Sequence, residues 1–386
     1  MVFDQSQCES VSTRDYGIGF LCASASWGGL EMNVLRLALW LKDRGWKVIL
    51  YGQKGTGLFE NAEAGGISVR HLNSTFKYGD LVNARRLARY VKQDNVQRLI
   101  INYGKDLFLA VLAKIFSGRF FKLLMQQHLH VGGAKKDLFH TWEYRHLDAW
   151  IVPLPMFADR LKLNTRLDPA KIHIIPFGLE LDRFTRRRPD RMGARRRLNL
   201  PEEAIMAGIV GRLDVKKGQD VLIRAGRLVH EAGCPLHLLI VGDRTANDPE
   251  GFFELLETLT EQLELKPFVH FRPHQADVER IYAAMDIFVL ASHSETYGMV
   301  TIEAMASRCP VIGTAGGGTV QIIEDGVNGL LVPPQHDRKL AEAILKLVND
   351  SNLAERLASQ AESDAISRYS HLRQVDLLEG LFESLG

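Results

Sequence analysis

The feature that most constrains this chain is a rhythm. Short β-branched apolar runs alternate with longer amphipathic segments, and the rhythm stops and restarts at mid-chain. In the first half the runs lie at 18–22, 47–51, 98–102, 122–126, 149–152 and 172–175, with helical spacing over 30–44 and 81–93 between them. Runs that short, separated by amphipathic segments, predict parallel strands covered by helices. Pro176-Phe177-Gly178 and an Arg-rich stretch as far as Arg197 interrupt the pattern. It resumes at 204–210 and continues through 236–241, 268–271, 287–291, 311–313 and 329–332 before closing on helices from Asp337 onward. The expected fold is α/β, with two doubly wound Rossmann-like domains facing across a cleft and ligands held at the C-terminal ends of the strands.

A chain of 386 residues, 46% hydrophobic and 24% charged, has the make-up of an ordinary globular protein of two domains. Its four cysteines, Cys8, Cys22, Cys234 and Cys309, are far apart and show no CxxC spacing. Neither a zinc site nor a disulfide framework is expected, and a reducing cytoplasm fits best. The first 16 residues are polar, and no stretch approaches about 18 uninterrupted apolar residues, so neither a secretory signal nor a membrane span is expected.

The net charge of +2 conceals a split. Residues 1–176 hold 24 Lys+Arg against 15 Asp+Glu, a net of +9, while residues 177–386 hold 24 against 31, a net of −7. Halves so different in charge are expected to meet different partners, with an anionic acceptor or an anionic membrane surface on the basic side. Candidates for that contact are Arg85, Arg86, Arg89 and Lys92 on the 81–93 helix, with Lys114, Arg119 and Lys122 near Ile115, Phe116, Phe120 and Phe121. The same apolar residues would also suit the core of a helix and strand. The arginine cluster of Arg183, Arg186, Arg187, Arg188, Arg191, Arg195, Arg196 and Arg197 reads as a solvated linker and first helical turns. Contact with nucleic acid is the competing reading.

Three stretches carry chemistry. Ser294-Glu295-Thr296-Tyr297-Gly298-Met299-Val300-Thr301-Ile302-Glu303 follows the apolar run 287–291 and leads into a helix. Such a junction aims backbone N–H groups and a positive helix end at one point, which holds phosphate without a basic side chain. Glu303, about one turn into the helix, could accept two hydrogen bonds from a vicinal diol, although acidic residues also favour early helical turns for dipole reasons alone. Gly211-Arg212-Leu213-Asp214-Val215-Lys216-Lys217-Gly218 likewise follows a strand and opens a helix, and fixed cations there could neutralise a diphosphate leaving group. Ser26-Trp27-Gly28-Gly29-Leu30-Glu31 offers a tight turn before a long helix. Gly17-x-Gly19 precedes its strand and lacks a third glycine, so a dinucleotide oxidoreductase is a poor fit. His128 closes the 122–127 run, where a strand end faces the expected cleft, and Asp106, Lys135 and Lys136 are further candidates on that side.

The Glu295 to Glu303 segment resembles the Glu-x₇-Glu signature of retaining glycosyltransferases with two Rossmann-like domains (GT-B), in particular family four, the glycosyl transferases of group 1. The resemblance covers nearly the whole chain after residue 16. It implies that Glu303 holds the donor ribose and that Glu295 lies beside the transferred sugar. Tyr297, Gly298, Met299 and Val300 then supply backbone contacts. The stretch from Gly211 is similar to the family's Gly-Arg-Leu…Lys-Gly element, which assigns the two diphosphate cations to Arg212 and Lys217. Gly28 and Gly29 correspond to a loop that reaches toward the donor phosphate, His128 to a histidine near the transferred sugar, and Arg272 and His274 are added as donor-side candidates. Two departures stand out: Phe177 occupies a place where the family usually has Asn, and Gln321 one where Glu is common.

The implied boundaries are 1–176 for an acceptor-side domain, 177–368 for a nucleotide-sugar domain and 369–386 for a C-terminal helix crossing back to the first. The implied activity is transfer of a hexose from a nucleotide-diphosphate sugar to a glycan, lipid-linked or phosphorylated acceptor. No metal, cofactor or nucleic acid is expected to take part. A sugar-nucleotide epimerase on the same scaffold is the alternative, separable by product analysis.

Overall fold

The computed structural model describes residues 16–72, 77–128, 132–186, 188–244, 251–293 and 295–386; Cys8, His130, Arg187 and Ser294 lie outside them. The chain divides into two compact units, residues 1–177 with 371–386, and residues 178–370. Two parallel-sheet Rossmann-like domains result.

The first sheet contains β1 (Gly17–Cys22), β2 (Val48–Gly52), β3 (Ser68–His71), β4 (Val96–Ile101), β5 (Lys122–Gln126), β6 (Ala149–Val152) and β7 (Ile172–Ile174). Their order is β3-β2-β1-β4-β5-β6-β7, with every pairing parallel. Strands covered on both faces must be apolar throughout, and β1, β2 and β6 are buried at every position. The helix His371–Ser384 completes this unit's core: Val375, Leu378, Leu381 and Phe382 pack with Ile18, Phe20, Leu37 and Ile100. It is fixed by Trp46 Nε1 donating to Glu379 (2.8 Å) and by Arg98 donating to the Phe382 carbonyl (2.9 Å).

The second sheet comprises β8 (Met206–Val210), β9 (His237–Val241), β10 (Val269–Arg272), β11 (Ile287–Leu290), β12 (Val311–Thr314) and β13 (Leu330–Val332), in the order β10-β9-β8-β11-β12-β13, again all parallel. Each sheet reverses its winding direction once, between β1 and β4 in the first and between β8 and β11 in the second. The loops leaving those strand pairs diverge to opposite faces and open a crevice at the strand ends.

The arginine stretch is solvated only in part: residues 191–197 form the expected helix and Arg186, Arg196 and Arg197 are exposed, but others are tied down. Arg195 is 2% exposed and donates to Asp286, the Ala284 carbonyl and the Glu202 carbonyl. Arg183 pairs with Glu279, Arg188 with Glu362 and Arg191 with Asp286. These contacts clamp the segment onto its own unit, with carboxylates already occupying Arg183, Arg188, Arg191 and Arg195.

Candidate functional site

In the second unit, three loops converge on Glu295 at the switch point between β8 and β11. The loop after β8 ends in a turn at Val215–Lys217, then Gly218 at φ +75°, then the helix Gln219–Glu231. A Cβ on Gly218 would lie 2.2 Å from the Ala291 carbonyl oxygen, so only glycine lets this turn pack against the end of β11. The two loops are further joined by His293 N–H donating to the Lys216 carbonyl (2.9 Å). Lys217 Nζ then reaches Glu295 Oε2 at 2.7 Å, and Ser292 Oγ approaches the same oxygen at 3.4 Å. From the loop after β12, Gly318 N–H donates to the Glu295 carbonyl (2.8 Å).

Arg212 is exposed and makes no ion pair among the described residues, while its carbonyl accepts from Gln219 Nε2 (2.9 Å), a side chain with no exposure. Lys216 is also exposed. Among the described residues, the loop after β8 therefore carries an exposed Arg212 with no ion pair and a Lys217 paired to Glu295.

Helix Met299–Ala306 starts at Gly298 with no side-chain cap, and the N–H groups of Gly298, Met299 and Val300 have no partner among the described residues. Uncapped first-turn N–H groups with the positive end of the helix dipole favour an anion. Tyr297 is buried. Glu303 is 8% exposed and accepts from Tyr282 Oη at 2.7 Å, which fixes one carboxylate oxygen. Burial pushes the Tyr282 hydroxyl far above its ordinary pKa, so it stays a donor.

Arg272 has other partners: its guanidinium donates to the carbonyls of Leu198 (3.0 Å), Phe271 (2.8 Å) and Asn199 (3.1 Å). The His274 backbone N–H donates to Asp243 (3.0 Å), and its side chain is exposed. Tyr282 and Gln219 escaped the sequence reading, because each sits in an amphipathic helix and acts through a residue distant in sequence.

In the first unit the switch point lies between β1 and β4. Gly28 leads into the helix Gly29–Asp43 without a side-chain cap, and a Cβ on Gly29 would meet nothing. Asp106 is 1% exposed, accepts from Ala23 N–H (2.9 Å), and is raised by burial to about 7. His128 follows β5. Its Nε2 lies 3.1 Å from Asn102 Oδ1, and its ring stacks on Phe177 at 4.9 Å between centroids. Burial lowers its pKa to about 3, so the imidazole is neutral, and the Asn102 Oδ1 contact assigns the proton to Nε2. A cavity of about 310 Å³ opens here, lined by His128, Asn102, Lys105 and Lys135 among others. Lys136 is exposed.

The basic surface is partly as expected. Leu81, Val82, Ile115, Phe116 and Phe120 are exposed, and the Arg85 guanidinium lies 4.9 Å above the Phe116 ring. Phe121 and Lys114 do not belong to it. Phe121 is 2% exposed because it sits in the core beside β5, and Lys114 turns inward to pair with Asp148.

Two successive parallel-sheet domains, each with its loops gathered at a switch point, define the GT-B class. A solved glycosyltransferase from Rickettsia africae matches with a TM-score of 0.85 at 21% identity, covering 96% of this chain and 98% of that one. HepE from Anabaena, solved in complex with UDP, matches with a TM-score of 0.81 at 22% identity, over 95% and 100%. A family model described as Glycosyl transferases group 1 matches residues 190–364, and one described as Glycosyltransferase Family 4 matches residues 27–183. The chain belongs to the group 1 glycosyltransferases of the GT-B fold. It is similar to D-inositol 3-phosphate glycosyltransferases from Stackebrandtia nassauensis (33% identity over 241 residues, 61% of this chain and 54% of that protein) and Actinosynnema mirum (34% over 224 residues, 56% and 53%). The chain spans about half the length of the curated relatives it matches. No helix among the described residues is long and apolar enough to cross a membrane.

Proposed function

We propose that the chain is a retaining, metal-independent glycosyltransferase whose second unit binds a nucleotide-diphosphate sugar. The observation that carries this reading is the Lys217–Glu295 pair, held where the loops after β8, β11 and β12 meet and just ahead of the uncapped N–H groups of 298–300, with the exposed Arg212 on the same loop as Lys217. Arg212 and Lys217 neutralise the diphosphate, Gly211 permits its close approach, and the backbone of 297–300 binds phosphate and sugar. Glu303, with one oxygen fixed by Tyr282, accepts from the ribose hydroxyls, and Glu295 orients the sugar.

In the chemical step the anomeric carbon–phosphate oxygen bond breaks as the acceptor oxygen bonds to the same face of that carbon. The acceptor proton passes to the departing diphosphate. No side-chain base is required, and His128, held neutral, hydrogen-bonds sugar or acceptor without taking up a proton at neutral pH. Gly28 and Gly29 lie at an uncapped helix start in the first unit.

A thermal-shift series with UDP, GDP, ADP and their sugars, with and without EDTA, tests both halves of the reading. A ligand that binds only the folded state raises Tm, by about 2.7 kcal/mol of stabilisation at a hundredfold excess over Kd. One nucleotide series is expected to shift Tm equally with and without chelator, and turnover is expected to survive EDTA. Loss of turnover in EDTA with rescue by magnesium or manganese would overturn metal independence, and silence across all nucleotides would overturn the donor site.

The acceptor is anionic or is presented at an anionic membrane surface. The +9 excess of residues 1–176 supports this, as do the exposed Leu81, Val82, Ile115, Phe116 and Phe120 beside Arg85, Arg86, Arg89, Lys92 and Arg119. So do the relatives named for D-inositol 3-phosphate, a phosphorylated polyol. Each basic group near an anionic surface contributes about 1 kcal/mol, lost at high salt. Co-sedimentation with phosphatidylserine liposomes at low salt, abolished at high salt and absent with neutral lipid, is the expected result for a membrane-presented acceptor. No sedimentation under any condition would remove the membrane version.

A further inference from the structure

The 310 Å³ cavity of the first unit holds hydrogen-bonding groups that no described residue satisfies. Glu143 and Tyr144, on the helix Leu138–Arg145, are 4% and 5% exposed, and both line the cavity. Neither the Glu143 carboxyl nor the Tyr144 hydroxyl has a hydrogen-bond partner among the described residues. Asn102, in the same wall, is 2% exposed and has its Nδ2 unpaired. Buried polar groups are almost always paired, so the unpaired Asn102 amide, with the Glu143 carboxyl and Tyr144 hydroxyl lining the same cavity, marks a space shaped for a polar occupant. The rest of the wall narrows the chemistry. Tyr78 and Phe108 meet edge to face at 5.5 Å and present apolar surface, while Lys77, Lys105 and Lys135 supply positive charge.

We infer that Glu143 is a specificity determinant for the acceptor: its open carboxylate and the Tyr144 hydroxyl read the ring hydroxyls of a polyhydroxylated, phosphorylated ring whose apolar face lies on the aromatic wall. The inference rests on the reading of the first unit as the acceptor side, and it adds which residue selects the acceptor and by what bond. The lysines balance the ligand's phosphate. The Glu143 carboxyl is raised to about 7, chiefly by burial, with Asp137 adding to the rise and Lys77 and Lys135 opposing it. His128, His140, Lys105, Tyr78 and Tyr103 are the other titratable groups among the described residues of the cavity wall. Ring hydroxyls donating to the carboxylate favour its ionised form, so ligand binding lowers this pKa and affinity rises as pH is raised through 7.

The test measures the affinity of the full chain for D-inositol 3-phosphate, cyclohexyl phosphate, which lacks the ring hydroxyls, and inorganic phosphate. Wild type is expected to prefer the hydroxylated ring over cyclohexyl phosphate by about tenfold or more. Glu143→Ala should reduce that ratio toward one and Tyr144→Phe should reduce it in part, with the affinity for the donor nucleotide unchanged in both. Because the phosphate itself titrates near about 6, the pH slope is read as the difference between wild type and Glu143→Gln, which keeps the shape and loses the slope. Retention of the hydroxyl preference in Glu143→Ala, or of the slope in Glu143→Gln, overturns the inference. If wild type binds the donor nucleotide but none of the three phosphates, the acceptor-side reading falls and this inference with it. If it binds no nucleotide either, the transferase reading itself has failed.

Discussion

Arg212→Ala and Lys217→Ala are each expected to lower kcat by roughly 10²- to 10³-fold, the usual result of removing one preorganised contact to developing charge. The two should differ in stability. Arg212 is exposed and pairs with no carboxylate among the described residues, so its removal should leave Tm within about 1 °C, as for surface positions generally. Lys217 holds Glu295, whose side chain is only 13% exposed, so Lys217→Ala leaves a largely buried carboxylate without its cation. The double variant Lys217→Ala/Glu295→Gln is therefore expected to recover part of the lost stability and none of the lost turnover. Tm and steady-state kinetics on the four proteins check this. Near-native turnover in both single variants would remove the diphosphate assignment.

Gly317→Ala should damage the site without touching any charged group. Gly317 has φ +60°, and a Cβ there would lie 2.1 Å from the Glu295 carbonyl oxygen, the atom that accepts from Gly318 N–H. The methyl group can be admitted only if the 315–318 loop leaves Glu295, so strain and a lost hydrogen bond add together. The expected cost is about 3 kcal/mol, at the upper end of common point substitutions. For a unit of this size that is roughly 6 to 12 °C in Tm, with nucleotide affinity falling in parallel. Gly316→Ala is the control, because its Cβ would meet the His293 carbonyl and Pro334 at an ordinary 3.6 Å. Equal melting of the two variants would refute the account of this loop.

Much of this was legible in the sequence, and the exceptions share a physical cause. Twelve of the strands announced themselves as apolar runs, the central ones because both faces of the sheet are covered. β3 did not: Ser68, Arg70 and His71 are exposed at the sheet edge, where burial imposes no pattern. The motif residues Arg212, Lys217, Glu295 and Glu303 were found from strand–loop–helix junctions, which are local. Their partners were not, since Tyr282 meets Glu303 and Lys217 meets Glu295 only through the tertiary fold. The arginine stretch misled for the same reason. A run of like charge reads as solvated until carboxylates far along the chain, such as Asp286 and Glu362, are brought to it. Glu143 and Tyr144 carry no signal at all in one dimension, because an unpaired buried carboxyl is a statement about its neighbours.

The helix His371–Ser384 has a consequence for how the protein is made. Its Val375, Leu378, Leu381 and Phe382 belong to the core of the unit that the first 177 residues begin. On a ribosome adding about 5 to 20 residues per second, that core waits roughly 10 to 40 s for its last wall to emerge. Residues 178–370 form a continuous unit and have no such wait. The order of completion is thus the reverse of the order of synthesis: the unit started first is finished last. Until then the apolar surface around Ile18, Phe20 and Leu37 that this helix covers stays open to holdase chaperones or to misassociation.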